Sequence, residues 1–278
     1  DLVVFGEGLV PGYPFWPELT GGACFESDTQ KDLFAHYVAH AVDIGRGDLD
    51  ALCQLAREKN IAVYLGVIER SRERGGFSLY ACLVYISPRG EIGSAHRKLM
   101  PTYEERLVWS PGDGHGLRVH ELGDFRVGGL NCWENWMPLP RAALYGLGEN
   151  LHVAVWPGSR RNTEDITRFI ARESRSFVVS VSGMMHADLV PSGVPHAGLI
   201  RSAAEGWLAD GGSCVAGPDG QWVLEPQVGA EGLWTVDLSI TDVARERQNF
   251  DPAGHYSRPD VTRLSVDRRR QKTADYED

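Results

Sequence analysis

The sequence of 278 residues contains no long apolar run, few cysteines and no excess of basic residues. No run approaches the roughly 18 apolar residues that a membrane-spanning helix requires, so we expect no membrane association. The 28 Lys and Arg against 38 Asp and Glu give a net charge of −10. Phosphate binding usually needs a basic stripe, and only Arg268, Arg269 and Arg270 form a local basic cluster. We therefore expect no nucleic-acid partner.

The five cysteines are widely spaced, and they are Cys24, Cys53, Cys82, Cys132 and Cys214. An odd number without a CxxC pair suggests neither a disulfide framework nor a cysteine metal site. Free thiols in a reducing compartment fit better, so we expect a cytoplasmic protein. The spacing of His186 and His196 matches no metal motif either. We expect no metal and no cofactor.

Short β-branched apolar runs alternate with helical periodicities, which predicts an α/β fold. The predicted strands are residues 2–5, 61–68, 79–86, 91–95, 125–130, 151–156, 177–182 and 232–237, with hairpin turns at 87–90 and 217–220. The predicted helices are residues 33–42, 48–60, 139–147, 163–175 and one that begins at Ser239, with Asp48 and Ser239 as N-caps. No linker or charge block divides the chain, so we expect one domain over residues 1–278.

The order of these elements indicates an internal repeat. The second half runs strand-helix-strand-helix-strand-hairpin, and the first half follows the same plan without its leading strand and helix. A βαβ unit takes roughly 30 or more residues. We therefore expect the domain to be N-terminally truncated, with its first strand and helix preceding Asp1 in the natural protein.

Cys132 is predicted to lie at a strand-to-helix turn, after the strand at residues 125–130. Open α/β sheets place their sites at the carboxyl ends of strands, and helix N–H groups would lower the pKa of the thiol. The alternative is a small core residue, which is how most free cysteines behave. We assign that structural role to the other four cysteines.

Glu7 and Lys98 are two further candidates whose local patterns leave their roles open. Glu7 ends the first strand between Gly6 and Gly8, and it is either a solvated loop residue or a positioned acid-base group, because buried carboxylates need partners. Lys98 lies in the mixed basic and acidic segment 96–106. Such a segment on its own is typical of a solvated surface.

Three segments taken together resemble the nitrilase family, the carbon-nitrogen hydrolases with a Glu-Lys-Cys catalytic set. They are FGEGLVPGYP at residues 5–14, HRKLMPTYEER at 96–106 and GLNCWEN at 129–135. The resemblance continues through residues 156–158, 170–175 and 250–256 and so covers nearly the whole chain. Two departures are Gly6, where many members have proline, and the missing first strand and helix.

The resemblance implies an α-β-β-α sandwich of two related halves and an assembly into homo-oligomers, dimers or larger. It also implies roles for four residues. Cys132 would be the nucleophile, Glu7 the general base and Lys98 the cation that stabilises the intermediate. Glu105 matches the second glutamate of the family, which orients the others.

The function that follows is hydrolysis of a small organic nitrile to a carboxylic acid and ammonia, through a thioimidate and a thioester on cysteine. The alternatives within the superfamily are an amidase and a cyanide-processing hydrolase, and a third is a catalytically idle scaffold. A Cys-His-Asp hydrolase with a nucleophile elbow tends to need glycines two positions before and after the nucleophile. Those positions hold Leu130 and Glu134, which argues against that class.

Aromatic residues near the candidate site suggest a pocket for aryl or arylalkyl nitriles. The candidate substrate-binding residues are Trp133 and Glu134 beside Cys132, and Tyr13 after Glu7. Large aromatic side chains also fill cores and subunit contacts, and this alternative remains open.

Overall fold

The computed structural model describes residues 1–274. The strands are β1 (Leu2–Val4), β2 (Ala62–Arg70), β3 (Leu79–Ile86), β4 (Ile92–Arg97), β5 (His120–Leu122), β6 (Phe125–Asn131), β7 (Leu151–Trp156), β8 (Phe177–Ser182), β9 (Met184–His186), β10 (Trp207–Ala216) and β11 (Trp222–Val228). The α-helices are α1 (Trp16–Leu19), α2 (Asp28–His40), α3 (Asp50–Lys59), α4 (Pro138–Gly146), α5 (Arg160–Ser174), α6 (Ala197–Ala203) and α7 (Ile240–Arg247). Short 3-10 helices cover Ile44–Arg46, Arg72–Arg74, Tyr103–Leu107, Gly114–Gly116, Cys132–Trp136 and Ala187–Leu189.

The strands form two sheets with related topology. The first sheet has the order β1-β2-β3-β4, in which β1 is parallel to β2 and β2, β3 and β4 are antiparallel. The second has the order β11-β10-β8-β7-β6-β5, with β9 paired to β10. In this sheet β6, β7 and β8 are parallel and β10 and β11 form an antiparallel hairpin. A parallel pair followed by a hairpin thus occurs in both halves, as the predicted repeat requires.

The two sheets pack face to face because their strands alternate in side-chain direction. On β2, Tyr64 points inward and packs in one buried cluster with Leu83 of the same sheet and Val153 of the opposite sheet. Helices cover the outer faces. Ala56 of α3 packs against the outer side of β2 and β3, and Ile166 of α5 packs against the outer side of the second sheet. This layer order confirms the predicted α-β-β-α sandwich.

Two local predictions are wrong. Helix α3 begins at Asp50 with Leu49 as its N-cap, because the carboxylate of Asp48 instead accepts from the Asp43 N–H and pairs with Arg46. Residues 232–237 form no strand in the described structure. Trp234 and Val236 are partly buried, but no described strand pairs with this segment, so its backbone forms no ladder.

The N-cap prediction for α7 is confirmed, since Ser239 Oγ accepts from the Thr241 N–H. Between residues 1 and 274, no helix combines the length and the apolar character needed to cross a membrane.

Candidate active site

The four residues expected to form the catalytic set come together in one buried cluster. Lys98 Nζ lies 2.9 Å from Glu7 Oε1 and 2.7 Å from Glu105 Oε2. Cys132 Sγ and one oxygen of each glutamate lie within 4.8 Å of one another. All four residues are at most 3% exposed. Three segments that are far apart in sequence therefore supply a thiol, an ammonium and two carboxylates to one small volume.

Glu7 enters this cluster where the chain leaves the first sheet. Its backbone N–H donates to the carbonyl oxygen of Trp156 on β7 at 3.3 Å, which ties the loop after β1 to the second sheet. The loop passes so close to β2 that a Cβ at Gly66 would overlap the Gly6 carbonyl oxygen. Glycine at position 66 is therefore what lets Glu7 reach the space between the sheets.

Cys132 lies at the carboxyl end of β6, as predicted, and begins the 3-10 helix Cys132–Trp136. Its φ is +48°, in the left-handed region that costs a non-glycine residue on the order of 1–3 kcal/mol. Such backbone strain is typical of residues that the surrounding structure must hold in place for function.

Lys98 and Glu105 are positioned by neighbouring backbone and side-chain groups. Lys98 follows β4, and its backbone N–H donates to the Ala81 carbonyl oxygen. Glu105 accepts at Oε2 from Lys98 Nζ and from the Thr102 N–H, at 2.7 and 2.6 Å. Its Oε1 accepts from the Tyr13 hydroxyl at 2.7 Å. With both oxygens engaged, Glu105 fixes the direction in which the Lys98 ammonium points.

Glu134, which we expected to bind substrate, instead has a buried carboxylate whose hydrogen-bond partners all belong to the protein. Its side chain is fully buried, and its carboxylate accepts from the N–H groups of Asn131 and Leu99 and from His96 Nε2, at 2.9–3.0 Å. Burial by itself would raise the pKa of Glu134, but His96 and the two N–H groups hold it below its usual range. This carboxylate ties the turn that bears Cys132 to the strand end that bears Lys98, and no oxygen is free for a substrate.

The other two expected pocket residues lie in different places. The Trp133 side chain is half exposed and lies beside Trp136, with ring centroids 6.2 Å apart. Tyr13 lines an apolar cavity of about 470 Å³ whose wall also includes Trp16 and Tyr37. The Tyr13 hydroxyl binds Glu105, so Tyr13 links the cavity wall to the catalytic cluster, although none of the four catalytic residues lines the cavity.

Comparison with known proteins assigns the family. The model of the carbon-nitrogen hydrolase family matches residues 1–248. This chain belongs to the carbon-nitrogen hydrolase family. It is 39% identical over 271 residues to Nitrilase 2 of an unknown prokaryotic organism, which covers 96% of this chain and 82% of that protein. It is 34% identical over 278 residues to Nitrilase 2 of Arabidopsis thaliana, which covers 98% of this chain and 80% of that protein.

Solved structures agree on the fold of this hydrolase. A carbon-nitrogen hydrolase from Helicobacter pylori superposes with a TM-score of 0.66 at 18% identity, over 94% of this chain and 84% of that one. Nit3 of Saccharomyces cerevisiae, a nitrilase superfamily member, superposes with a TM-score of 0.64 at 17% identity, over 92% of this chain and 83% of that one.

Burial dominates the electrostatics of the hydrolase site. It raises the pKa of Glu7 from 4.5 to about 7, with Lys98 opposing the rise and Glu105 adding to it. Burial also raises the pKa of the Cys132 thiol well above its usual value, although Lys98 and the Trp133 N–H lower it. Our expectation of a thiol acidified by helix N–H groups is therefore wrong, because the five-residue 3-10 helix does not outweigh burial beside two carboxylates.

Lys98 remains protonated in this cluster. Burial alone would lower its pKa, but Cys132, Glu7 and Glu105 raise it above the usual value. The hydrolase therefore rests with a neutral thiol, a fixed ammonium and a carboxyl group that titrates near neutrality. Such a carboxyl group can take the thiol proton when the sulfur attacks.

Several buried polar residues around the site were missed by the sequence analysis. They are His96, Asn135, Glu149 and His152, each at most 2% exposed. His152 interrupts the apolar run of β7, and a polar residue inside such a run was the one available signal. His186 and His196, whose spacing matches no metal motif, form partly exposed pairs with Asp188 and Asp32.

Proposed function

We propose that this hydrolase is a nitrilase that converts an organic nitrile and two waters to a carboxylic acid and ammonia. The observation that carries the proposal is the buried contact of Lys98 with Glu7 and Glu105 beside Cys132. The relatives named nitrilase, including the aliphatic nitrilase of Rhodococcus rhodochrous at 33% identity over 291 residues, support this choice of substrate class.

The first step is attack of sulfur on the nitrile carbon. A nitrile carbon is a weak electrophile, so it needs a strong nucleophile, and a thiolate generated by an adjacent base provides one. Glu7 takes the proton of Cys132 as the carbon–sulfur bond forms. Negative charge develops on the nitrile nitrogen, where Lys98 and the Trp133 N–H stabilise it, and losing one such donor typically costs about 3–4 kcal/mol in barrier height. Transfer of the thiol proton from Glu7 to that nitrogen gives a thioimidate and leaves Glu7 ionised for the next step.

Two waters complete the reaction. Glu7 takes a proton from the first water as its oxygen adds to the thioimidate carbon, and returns that proton to the nitrogen. Transfer of the remaining hydroxyl proton to the nitrogen lets the tetrahedral adduct expel ammonia and leaves a thioester. A second water, activated in the same way, adds to the thioester carbon. Breakage of the carbon–sulfur bond releases the carboxylic acid, and the proton returns to Cys132. Cysteine, glutamate and lysine thus supply nucleophile, base and fixed cation.

We infer that the preferred nitriles carry an aryl or arylalkyl substituent. The cavity beside Tyr13 is large enough for such a group and is lined by apolar side chains that include Trp16, Tyr37 and Val194. A mostly apolar cavity with a few polar groups at one end is the usual form of a small-molecule site.

We also propose that the chain acts as one cytoplasmic domain within a homo-oligomer. The catalytic set draws Lys98 from the first sheet and Cys132 from the second, so neither sheet alone would hold it. The five free cysteines suit a reducing compartment. Trp133, Trp136 and Leu139 are exposed together, which favours a subunit contact there.

Ammonia release from a panel of aromatic, arylalkyl and aliphatic nitriles, with the matching amides, tests the proposal. We expect turnover of nitriles to the acid, with arylalkyl and aryl members hydrolysed fastest. Turnover of amides without turnover of any nitrile would assign the site to an amidase, which would use the same four residues. Activity on small aliphatic nitriles alone would contradict the inferred role of the cavity.

The pH dependence of kcat/KM should report Glu7. The base must be ionised in the free enzyme, and its pKa is raised to about 7, so we expect kcat/KM to rise with pH and to reach half its plateau near pH 7. Initial rates at low substrate concentration in buffers of constant ionic strength measure this profile. An acid limb centred near the usual value of 4.5 would contradict it.

A further inference from the structure

The backbone of Cys132 accepts a hydrogen bond from one buried side-chain amide, that of Asn135. Asn135 Nδ2 donates to the carbonyl oxygens of Cys132 and Leu130, at 2.9 and 3.3 Å. Cys132 adopts a positive φ of 48°, a conformation that a non-glycine residue keeps only when its surroundings impose it. The amide of Asn135 therefore helps to fix the direction of the Cys132 side chain.

The orientation of this amide depends on His152. Because carbonyl oxygens only accept hydrogen bonds, the –NH₂ group of Asn135 must face Cys132 and Leu130, and its Oδ1 must face His152 Nε2, 2.8 Å away. An oxygen cannot donate, so His152 Nε2 must carry hydrogen. If that nitrogen were unprotonated, the amide would turn over and its carbonyl would face the two backbone oxygens.

Glu149 fixes the other side of the imidazole ring. Its Oε1 lies 2.9 Å from His152 Nδ1, and both residues are completely buried. A Cβ at Gly128 would overlap Glu149 Oε1, so glycine at that position of β6 makes room for the carboxylate. Because Asn135 requires hydrogen on Nε2, one further proton must lie between Nδ1 and Oε1, so that either an imidazolium faces a carboxylate or a neutral ring accepts from a protonated Glu149.

We propose that His152 is a positioning residue for Cys132, which it holds in its strained conformation through Asn135 by keeping Nε2 protonated with the help of Glu149. The proposal rests on the proposed role of Cys132 as nucleophile. Glu149, His152 and Asn135 together form a hydrogen-bonded relay to Cys132. None of the residues that line the cavity beside Tyr13 belongs to this relay. Loss of the relay should therefore lower kcat and leave KM for the nitrile within about twofold.

Two variants test the relay. His152→Leu removes the donor, and we expect kcat to fall about 10- to 100-fold, which is the size expected when a reacting group is displaced by about 1 Å. Glu149→Gln should stay within about twofold of the parent, because its amide can donate to Nδ1 and leave Nε2–H on Asn135. His196→Leu, which removes a partly exposed histidine paired with Asp32, is the matched control and should change neither constant.

A second readout does not require nitrile turnover. Iodoacetamide alkylates Cys132 in the intact protein at a rate that mass spectrometry of the Cys132 peptide can follow. We expect this rate to fall in His152→Leu and to equal that of the parent in Glu149→Gln. If alkylation follows this order but no nitrile is hydrolysed, the nitrilase proposal fails and the positioning role stands. A folded His152→Leu protein with parental kcat and parental alkylation rate would overturn the positioning role.

The protonation of His152 can also be read in the unmodified protein, which covers the case in which His152→Leu does not fold. Nitrogen NMR of protein labelled at the histidine rings should show His152 Nε2 protonated at neutral pH. An unprotonated Nε2 would overturn the proposal, since Asn135 could then not be oriented as the relay requires.

Discussion

Cys132→Ala is expected to lower kcat/KM for nitriles by about 10⁴-fold or more, which is the scale seen when a covalent nucleophile is removed. In the proposed mechanism, the sulfur of Cys132 is the atom that forms the bond to the nitrile carbon, and this bond breaks again when the acid is released. Glu7, Lys98 and Glu105 would remain in contact in the variant. They could still bind and polarise a nitrile, but no thioimidate could form.

Ammonia release and single-turnover trapping of a covalent adduct by mass spectrometry measure this effect. Cys214→Ala is the matched control, because Cys214 is also buried and contacts Thr167 on α5. It should lose some stability through the small cavity but keep kcat/KM. Equal ammonia release from Cys132→Ala and the parent would refute the nucleophile assignment.

The sheets and the three motif segments could be predicted because their signals are local. The strands β3 and β4 are joined by a Ser-Pro-Arg-Gly turn at residues 87–90. The apolar and glycine-containing pattern that predicts a strand at residues 125–130 ends shortly before Cys132. These patterns place Lys98 and Cys132 at strand ends without any knowledge of the fold. The layer order was expected only from the resemblance to the nitrilase family, because β2 and β3 are buried on both faces and show no alternation.

The direction of side chains in the nucleophile turn could not be predicted in this way. In the 3-10 helix Cys132–Trp136, the side chains of Cys132, Glu134 and Asn135 are buried, whereas those of Trp133 and Trp136 are partly exposed. A run of five residues has no periodicity long enough to show this, and apolar tryptophans suggest the opposite arrangement. The wrong expectation for Glu134 follows from that.

The pKa of Cys132 is a second property of the site that could not be predicted from the sequence. A thiol at the start of a helix is expected to be acidic, and the sequence contains nothing that opposes this expectation. The opposing contribution is burial, which depends on how the two sheets close over the site. Burial also raises the pKa of Glu7 to about 7, so the same tertiary contact that weakens the nucleophile at rest strengthens the base beside it.

Glu7→Gln is expected to lower kcat/KM by about 10²- to 10⁴-fold, the usual contribution of a general base, and at the same time to stabilise the protein at alkaline pH. Glutamine keeps the size of the side chain and removes the group that accepts the proton of Cys132. The residual rate would be the rate at which water or another weak base deprotonates a buried thiol whose pKa is raised.

The stability gain follows from the sign of the pKa change. The folded-state pKa of Glu7 is about 7 and its usual value is 4.5, so the unfolded chain loses this proton at lower pH than the folded chain. The parent therefore loses stability as pH rises from about 4.5 to 7, by about 3 kcal/mol in total at 1.36 kcal/mol per pKa unit. Glu7→Gln has no proton to lose and avoids this loss.

Urea unfolding of the parent and of Glu7→Gln, at about pH 5 and about pH 8.5, measures the difference. The free energy of unfolding of the variant should exceed that of the parent at the higher pH, and the two should converge at the lower pH. Glu121→Gln, on the exposed side of β5, is the matched control and should show no such divergence. If Glu7→Gln gained no stability at the higher pH, Glu7 would ionise as freely in the folded protein as in the unfolded chain, and a base that titrates near pH 7 could not be assigned to it.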